Sequence, residues 1–186
     1  MFKRLLPTFF VAVAAFAVVA VPAQAADELE TSLQVCSTCH GQNGQPIDAT
    51  IPIIWGQQTS YLVKQIHDFK SGDRENAIMK AFADGIKQPD IRKAATYFAE
   101  KTWPAHAPGA AVPQPNGMAV CRICHQENFQ GGLPAPRLAG QSYEYMLTAM
   151  NNFADDKRTN SADMMKLMKA LTPAEREAMA RYLSSL

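Results

Sequence analysis

The 186-residue sequence has little net charge, few cysteines and no strand-like patterning. Its 18 basic and 17 acidic side chains leave a formal net charge of +1 at pH 7, and no long run of like charges occurs. A balance this close to neutral argues against nucleic acid as a partner, because a phosphate backbone selects strongly basic surfaces. No segment alternates apolar and polar residues with a period of two, whereas apolar stripes of helical period recur. We therefore expect an all-α fold.

The longest apolar run lies at the N-terminus and is too short to span a membrane. No charged residue occurs from Leu5 to Ala26, but the uninterrupted apolar part covers only residues 9–21, fewer than the ~20 residues that a spanning helix needs. The run ends in Ala23-Gln24-Ala25, which matches the A-x-A cleavage site of secretory signals. We predict a cleaved signal peptide over residues 1–25 and a mature protein in the periplasm.

All four cysteines lie in two copies of one pentapeptide, Cys-x-x-Cys-His, at residues 36–40 and 121–125. This is the attachment signature of c-type haem: two thiols form thioethers with the porphyrin, and the following histidine ligates the iron. On a helix, positions i, i+3 and i+4 share one face, so all three groups can reach one edge of the macrocycle. The motifs predict two covalently bound haem c groups. The predicted attachment residues are Cys36, Cys39, Cys121 and Cys124, and the predicted iron ligands are His40 and His125.

Three other interpretations of the cysteines have weaker support from the sequence. Two disulfides would suit an exported protein, but they give no reason for a histidine after each pair. One zinc ion could be bound by two C-x-x-C pairs, but these pairs are 85 residues apart. A thioredoxin-like redox pair belongs in a βαβ pattern, and no alternation of strands and helices is visible.

The motifs belong to an internal repeat that sets the domain organisation. Residues 52–57, Pro-Ile-Ile-Trp-Gly-Gln, match residues 136–141, Pro-Arg-Leu-Ala-Gly-Gln. Each match is followed by a helix with an i, i+4, i+7 apolar stripe. We also predict terminal helices over Asp90–Lys101 and Ala174–Leu186. The domain boundaries predicted from the repeat are residues 26–103 for the first domain, 104–115 for a Pro-rich linker and 116–186 for the second domain.

The repeat also predicts a methionine as the sixth ligand of each iron. Met79 and Met164 each follow the first cysteine of their motif by 43 residues, and thioether sulfur opposite imidazole is an established haem ligation. In the second half, Met165 and Met168 remain alternatives to Met164. In the first half the rival is His67, but its repeat counterpart is an asparagine, so we expect it to be an ordinary helix residue.

Two such domains, each with C-x-x-C-H, a Pro-x-x-x-Gly-Gln segment, a methionine and a terminal helix, resemble the dihaem c4-type cytochromes of the class I cytochrome c superfamily. The resemblance covers nearly all of the mature chain. It implies two class I domains related by a pseudo-twofold axis, with one iron ligated by His40 and Met79 and the other by His125 and Met164. It also implies that Pro52 and Pro136 present carbonyl oxygens to the Nδ1–H groups of those histidines, which would fix ring orientation and ligand basicity.

Full ligation leaves no open iron site, so we expect outer-sphere electron transfer and not enzymatic chemistry. The predicted role is a periplasmic carrier of single electrons, for example from a quinol-oxidising complex to a terminal oxidase. The alternative is the electron-accepting dihaem subunit of a flavocytochrome c-type sulfide dehydrogenase or another periplasmic dehydrogenase. The expected partners are periplasmic redox proteins, with peripheral association with a membrane left open.

Overall fold

A computed structural model describes the secondary structure of residues 23–104 and 112–186, and the side chains of residues 28–104 and 112–186. The predicted signal peptide up to residue 22 and linker residues 105–111 lie outside the described residues. In the described ranges the chain forms eight α-helices and no strand. None of these helices is both long and apolar enough to cross a membrane.

Four helices form the first half, and the first, second and fourth of them contribute the buried residues of one core. Its buried residues are Leu33, Leu62, Ala94, Ala95 and Phe98. The helices are α1 (Ala23–His40), α2 (Thr59–Ser71), α3 (Ala77–Gly85) and α4 (Gln88–Ala99). α2 packs on both α3 and α4.

The second half repeats this arrangement with α5 (Met118–His125), α6 (Tyr143–Ala154), α7 (Ala162–Ala170) and α8 (Pro173–Ser184). α6 packs on α7 and α8, as α2 packs on α3 and α4. Its core is larger and rich in methionine, a flexible side chain that fills irregular spaces. The buried core residues are Met118, Phe129, Ala139, Met146, Met150, Phe153, Met168, Met179, Ala180 and Leu183.

Helix ends follow the local sequence, with small shifts from prediction. The capping box of α8 is present: the Thr172 side chain accepts from the Glu175 backbone and the Glu175 side chain accepts from Thr172 N–H, as the sequence pattern predicts. α8 ends two residues before the predicted Leu186. The first terminal helix, α4, starts at Gln88, two residues before the predicted Asp90, because a proline is accommodated in its first turn.

The two halves exchange equivalent contacts. Arg74 donates to the Tyr145 hydroxyl at 3.2 Å, and its repeat counterpart Arg158 donates to the Tyr61 hydroxyl at 3.1 Å. Gln65 accepts from both guanidinium groups, at 2.6 and 2.9 Å. A twofold axis produces such reciprocal pairs: if a residue of one half contacts a residue of the other, their repeat counterparts make the same contact in the opposite direction. The tandem halves therefore face each other with pseudo-twofold symmetry.

Two candidate haem sites

Each Cys-x-x-Cys-His motif occupies the last turns of a helix, α1 in the first half and α5 in the second. The three functional side chains of each motif therefore share one helical face. His40 and His125 are buried, with 7% and 6% of their surface exposed. The cysteines lie closer to the surface: Cys36, Cys39 and Cys121 are partly buried and Cys124 is exposed. Both motifs thus point a buried imidazole inwards from a more accessible pair of sulfurs.

Both motif histidines make the same backbone contact. His40 Nδ1 lies 2.8 Å from the Pro52 carbonyl oxygen, and His125 Nδ1 lies 2.8 Å from the Pro136 carbonyl oxygen. Because a carbonyl oxygen only accepts, Nδ1 carries the proton and Nε2 is the nitrogen with a lone pair. Burial lowers the pKa of both histidines, although each proline carbonyl opposes that effect. The neutral form that results is the one that can ligate a metal.

Two glycines allow the chain to turn back tightly towards each proline. Gly41 directly follows the first motif and has φ +90°, and a Cβ there would lie 2.0 Å from the Gln45 carbonyl oxygen. Gly131 has φ +76°, and a Cβ there would lie 2.4 Å from the Arg137 backbone nitrogen. Gly131 N–H also donates to the His125 carbonyl at 3.0 Å. A side chain at either position would both strain the backbone and collide with it, so these turns hold the proline carbonyls close to the histidines.

The first cysteine of each motif lacks the electrostatic surroundings of a redox nucleophile. None of the four is paired in a disulfide. Burial raises the pKa of the Cys36 and Cys121 thiols, whereas redox-active cysteines have lowered pKa values that favour the thiolate. These observations therefore do not support the disulfide hypothesis or the thioredoxin-like hypothesis for the motifs.

The two predicted methionine ligands occupy the same position in the fold. α3 begins after Asn76, whose side chain accepts from the Met79 backbone N–H at 2.9 Å. α7 begins after Ser161, whose side chain accepts from the Met164 backbone N–H at 3.4 Å. Each methionine is thus the third residue of its helix and is partly buried. Met165, the alternative to Met164, is one position later and also partly buried.

The remaining candidates lie elsewhere. Met168 is fully inside the second core, on the turn of α7 that follows Met164. His67 is a partly buried residue in the middle of α2. Neither occupies a position that recurs as a methionine or histidine in the other half.

The polar groups around the first motif suit a haem. Trp55 holds a buried indole N–H with no acceptor in the described structure, and its ring lies against the turn that follows the motif, 2.8 Å from where a Cβ on Gly44 would be. A second such N–H belongs to Trp103, on whose ring Arg137 of the other half stacks. Buried donors need acceptors, and a haem brings two propionate groups. Together with two thiols and a neutral imidazole, this donor set fits covalently attached haem.

Sequence reasoning missed two residues that border both sites. Gln57 and Gln141 are almost fully buried, with 4% and 3% of their surface exposed. Each amide reaches across to the other half and bonds the residue that directly follows the other half's site proline. Both glutamines belong to the repeated Pro-x-x-x-Gly-Gln segment, which could have marked them as important. Repetition alone did not show that their side chains contact the opposite half.

Comparisons with known proteins find c-type cytochromes. The family model described as Cytochrome c matches residues 107–186. Cytochrome c4 of Azotobacter vinelandii is 29% identical over 180 residues, covering 82% of this chain and 84% of that protein. Cytochrome c-552 of Acidithiobacillus ferridurans is 30% identical over 169 residues, covering 81% and 73%. A thiosulfate dehydrogenase electron acceptor of Thiomonas intermedia is 28% identical over 174 residues, covering 81% and 77%.

Two solved structures share the fold over more than four fifths of this chain. Cytochrome c4 of Acidithiobacillus ferrooxidans superposes with a TM-score of 0.71 at 29% identity, covering 82% of this chain and 99% of that one. Reduced cytochrome c4 of Pseudomonas stutzeri superposes with a TM-score of 0.74 at 26% identity, covering 85% and 98%.

The fold and the paired sites define a two-domain class I c-type cytochrome with two covalently bound haem c groups. Within that class, the chain belongs to the dihaem cytochrome c4 family. It is therefore an electron-transfer protein and not an enzyme, and its partners are redox proteins. The family, the all-α fold and the cofactors predicted from the sequence are confirmed.

Proposed function

We propose that this protein carries single electrons between redox proteins of the periplasm through two irons, each ligated by histidine and methionine. The four motif cysteines would hold the porphyrins, with His40 and Met79 on one iron and His125 and Met164 on the other. The single observation that carries this proposal is the doubled arrangement of the sites. In both halves a buried histidine donates to a proline carbonyl at 2.8 Å, and a methionine stands third in the helix before the terminal helix.

The haem supplies a reversible one-electron change at iron, and the chain's residues keep the surroundings constant through it. Each proline carbonyl fixes the orientation of its imidazole. Each methionine starts a helix whose first turn is capped by a side chain, which restricts its backbone. Holding both ligands in either oxidation state limits rearrangement on electron transfer. The equivalent caps also favour Met164 over Met165.

Carbon monoxide tests this proposal directly. We expect the reduced protein to show no rapid binding of carbon monoxide at either haem, because the sulfur of Met79 or Met164 would occupy the remaining ligand position of each iron. Mixing of dithionite-reduced protein with carbon monoxide, followed by absorption of each haem, measures it. Rapid binding at one haem would place an exchangeable site there and contradict the carrier role. A variant that lacks Met79 supplies the positive control.

The proposed route runs from a quinol-oxidising complex to a terminal oxidase. A second candidate is supported by the Thiomonas relative named as a thiosulfate dehydrogenase electron acceptor. In that role this chain would accept electrons from a periplasmic dehydrogenase. The same kind of alternative, a dihaem subunit of a sulfide dehydrogenase, is predicted from the sequence. Reduction rates with a purified quinol-oxidising complex and with a thiosulfate dehydrogenase separate the two routes. A stable flavoprotein partner on purification would favour the sulfide dehydrogenase arrangement.

The proposed location and boundaries can be checked on the purified protein. We propose that the chain is exported, that the mature protein begins at Ala26, and that residues 26–103 and 116–186 form the two domains around a linker at 104–115. Mass spectrometry of the haem-loaded protein from a periplasmic fraction measures the mature N-terminus. Limited proteolysis would cut first inside the linker if these boundaries hold.

The second haem is expected to have the higher reduction potential. Oxidised haem carries one more positive charge than reduced haem, so nearby cations favour the reduced form. The second half has Arg122 and Arg137 where the first has Ser37 and Ile53. A charge ~10 Å away at an effective dielectric of ~20 contributes roughly 1.7 kcal/mol before solvent screening, or on the order of tens of millivolts after it, at ~59 mV per tenfold change.

The contacts of the two arginines support unequal effects on the second haem. Arg122 is paired with Glu127 at 3.3 Å, which offsets part of its charge, whereas Arg137 stacks on the Trp103 ring at 4.4 Å. We therefore expect Arg137→Gln to lower the potential of the second haem more than Arg122→Gln does. A spectroelectrochemical titration that resolves both haems measures this. A first haem equal to or above the second in potential would overturn the ordering.

A further inference from the structure

The two cross-domain glutamines contact the peptide groups that support the haem histidines. Gln141 Oε1 accepts from Ile53 N–H at 2.9 Å, and Gln141 Nε2 donates to the Ile53 carbonyl at 3.0 Å. Gln57 does the same in reverse, accepting from Arg137 N–H at 2.7 Å and donating to the Arg137 carbonyl at 3.0 Å. Each amide thus makes a two-bond pair with the backbone of the opposite half.

One peptide group joins each glutamine to a histidine. The carbonyl that accepts from His40 belongs to Pro52, and the N–H of the same peptide bond belongs to Ile53, which donates to Gln141. The chain of contacts therefore runs from the His40 ring through a single peptide plane to Gln141 Oε1. When a peptide N–H donates, the carbonyl of the same peptide bond is polarised and its oxygen becomes a stronger acceptor, by about 10–30% per bond. Ile53 is 3% exposed, so water does not screen these hydrogen bonds.

The second half has the equivalent series of hydrogen bonds. His125 donates to the Pro136 carbonyl, and the N–H of that peptide, on Arg137, donates to Gln57. Each glutamine is also fixed from its own side, because Gln57 Oε1 accepts from Gln58 N–H at 2.9 Å and Gln141 Oε1 accepts from Ser142 N–H at 3.0 Å. The acceptor oxygens are therefore held in place and do not depend on the contact with the opposite half.

We propose that Gln141 and Gln57 are positioning residues that tune the haem of the opposite domain. By polarising the Pro52–Ile53 peptide, Gln141 strengthens the bond from His40 Nδ1–H, which raises the basicity of the imidazole and stabilises ferric iron at the first haem. Gln57 acts in the same way on His125 and the second haem. This inference rests on the proposed ligation by the two histidines. Its distinctive consequence is that a substitution in one domain changes the potential of the other domain's haem.

The test compares Gln141→Leu and Gln57→Leu in the haem-loaded protein. In Gln141→Leu we expect the reduction equilibrium of the first haem to shift in favour of the reduced form by about threefold, which is about 28 mV at ~59 mV per tenfold. The second haem should not move. In Gln57→Leu the second haem should move and the first should not. Spectroelectrochemical titration measures both potentials, and contacts in NMR spectra between each haem and its own attachment histidine assign them.

A second readout follows the hydrogen bond itself. In the reduced, diamagnetic protein, the Nδ1 proton of His40 should move to lower chemical shift in Gln141→Leu, because its bond to Pro52 is weaker. The His125 proton should move in the same way in Gln57→Leu. A purely structural role for the glutamines would leave these protons unmoved or would move both together.

Two further variants separate tuning from loosening of the interface. Gln58 also bonds across the interface, donating to the Gln130 carbonyl at 3.0 Å, but touches neither site peptide, so Gln58→Leu should change neither potential. Gln141→Glu keeps an oxygen acceptor for Ile53 N–H and should place the first haem at or below its original potential. Loosening alone would admit water and lower the potentials, since water favours the more charged ferric haem.

The outcomes are distinct. Crossed shifts in the expected direction support the inference. Unchanged potentials, equal shifts of both haems, or a shift confined to the haem of the substituted domain would overturn it. If the proposed histidine and methionine ligation were itself wrong, the unsubstituted protein would lack the thioether-to-iron absorption band, which the titration records before any variant is compared.

Discussion

Replacing Cys36 or Cys124 with alanine is expected to cut the yield of fully haem-loaded protein severely and to destabilise the affected domain. Each domain has about 70–80 residues, a size at which an apolar core alone supplies only ~3–5 kcal/mol and a covalent or metal staple is usual. The first core illustrates this, because five buried residues form it among those that the structure describes, and two of them are alanines. The haem, held by two thioethers, provides the missing apolar centre and ties it to the chain.

The expected size of the effect follows from these numbers. With one thioether lost, a weakening of ~2–3 kcal/mol in a domain of this size would lower its Tm by about 10 °C or more. Haem content from absorption, haem-stained gels and thermal unfolding followed by circular dichroism measure it. Matched controls lie inside the motifs: Thr38→Ala and Ile123→Ala change exposed positions between the two cysteines of a pair and should stay near the parent. Normal yields of stable, fully loaded protein from the cysteine variants would contradict the staple.

Replacing Met79 with alanine is expected to leave the first haem attached but to open its iron to water or added ligands. Attachment depends on the cysteines, whereas Met79 completes the coordination. Methionine opposite histidine raises the reduction potential, so the first haem should fall on the order of 0.1 V or more, within the ~0.8 V that axial ligands span. The thioether-to-iron absorption band should drop to half its two-haem intensity, and carbon monoxide should now bind one haem.

Two control pairs sharpen this experiment. Ile78→Ala changes the exposed neighbour of Met79 and should leave the spectrum intact. In the second half, Met164→Ala should reproduce the Met79 result, while Met165→Ala should not, because only Met164 shares the third position of its helix with Met79. Full band intensity in Met79→Ala would show that another group ligates the first iron, and loss of the band in Met165→Ala would move the second ligand by one residue.

Helices and their ends could be predicted where the signal is local. Thr172 and Glu175 act within three residues of each other, and the capping box forms as the sequence indicates. The start of α4 was placed two residues late because the side chain of Lys87 cannot cap a helix, so the sequence offered no clear first residue. The structure begins the helix at Gln88, with the backbone of Lys87 extended before it.

The chemistry of attachment was determined by the sequence alone. Two thiols and an imidazole at i, i+3 and i+4 lie together on any helix, so the spacing of Cys36, Cys39 and His40 carries the chemistry whatever the rest of the fold does. The duplication was equally visible, because equivalent residues recur at a nearly constant offset. These facts were sufficient to predict two haem c groups in an all-α protein that transfers electrons.

How the two domains meet could not be predicted from the sequence. Ile53 and Gln141 are 88 residues apart, and Arg137 and Gln57 are 80 apart, so no local pattern records their pairing. Those contacts depend on which faces of two folded domains dock, and docking is set by the complementarity of whole surfaces. The sequence therefore specified the haem in each half, and the packing of one half on the other placed a glutamine behind each of its histidines.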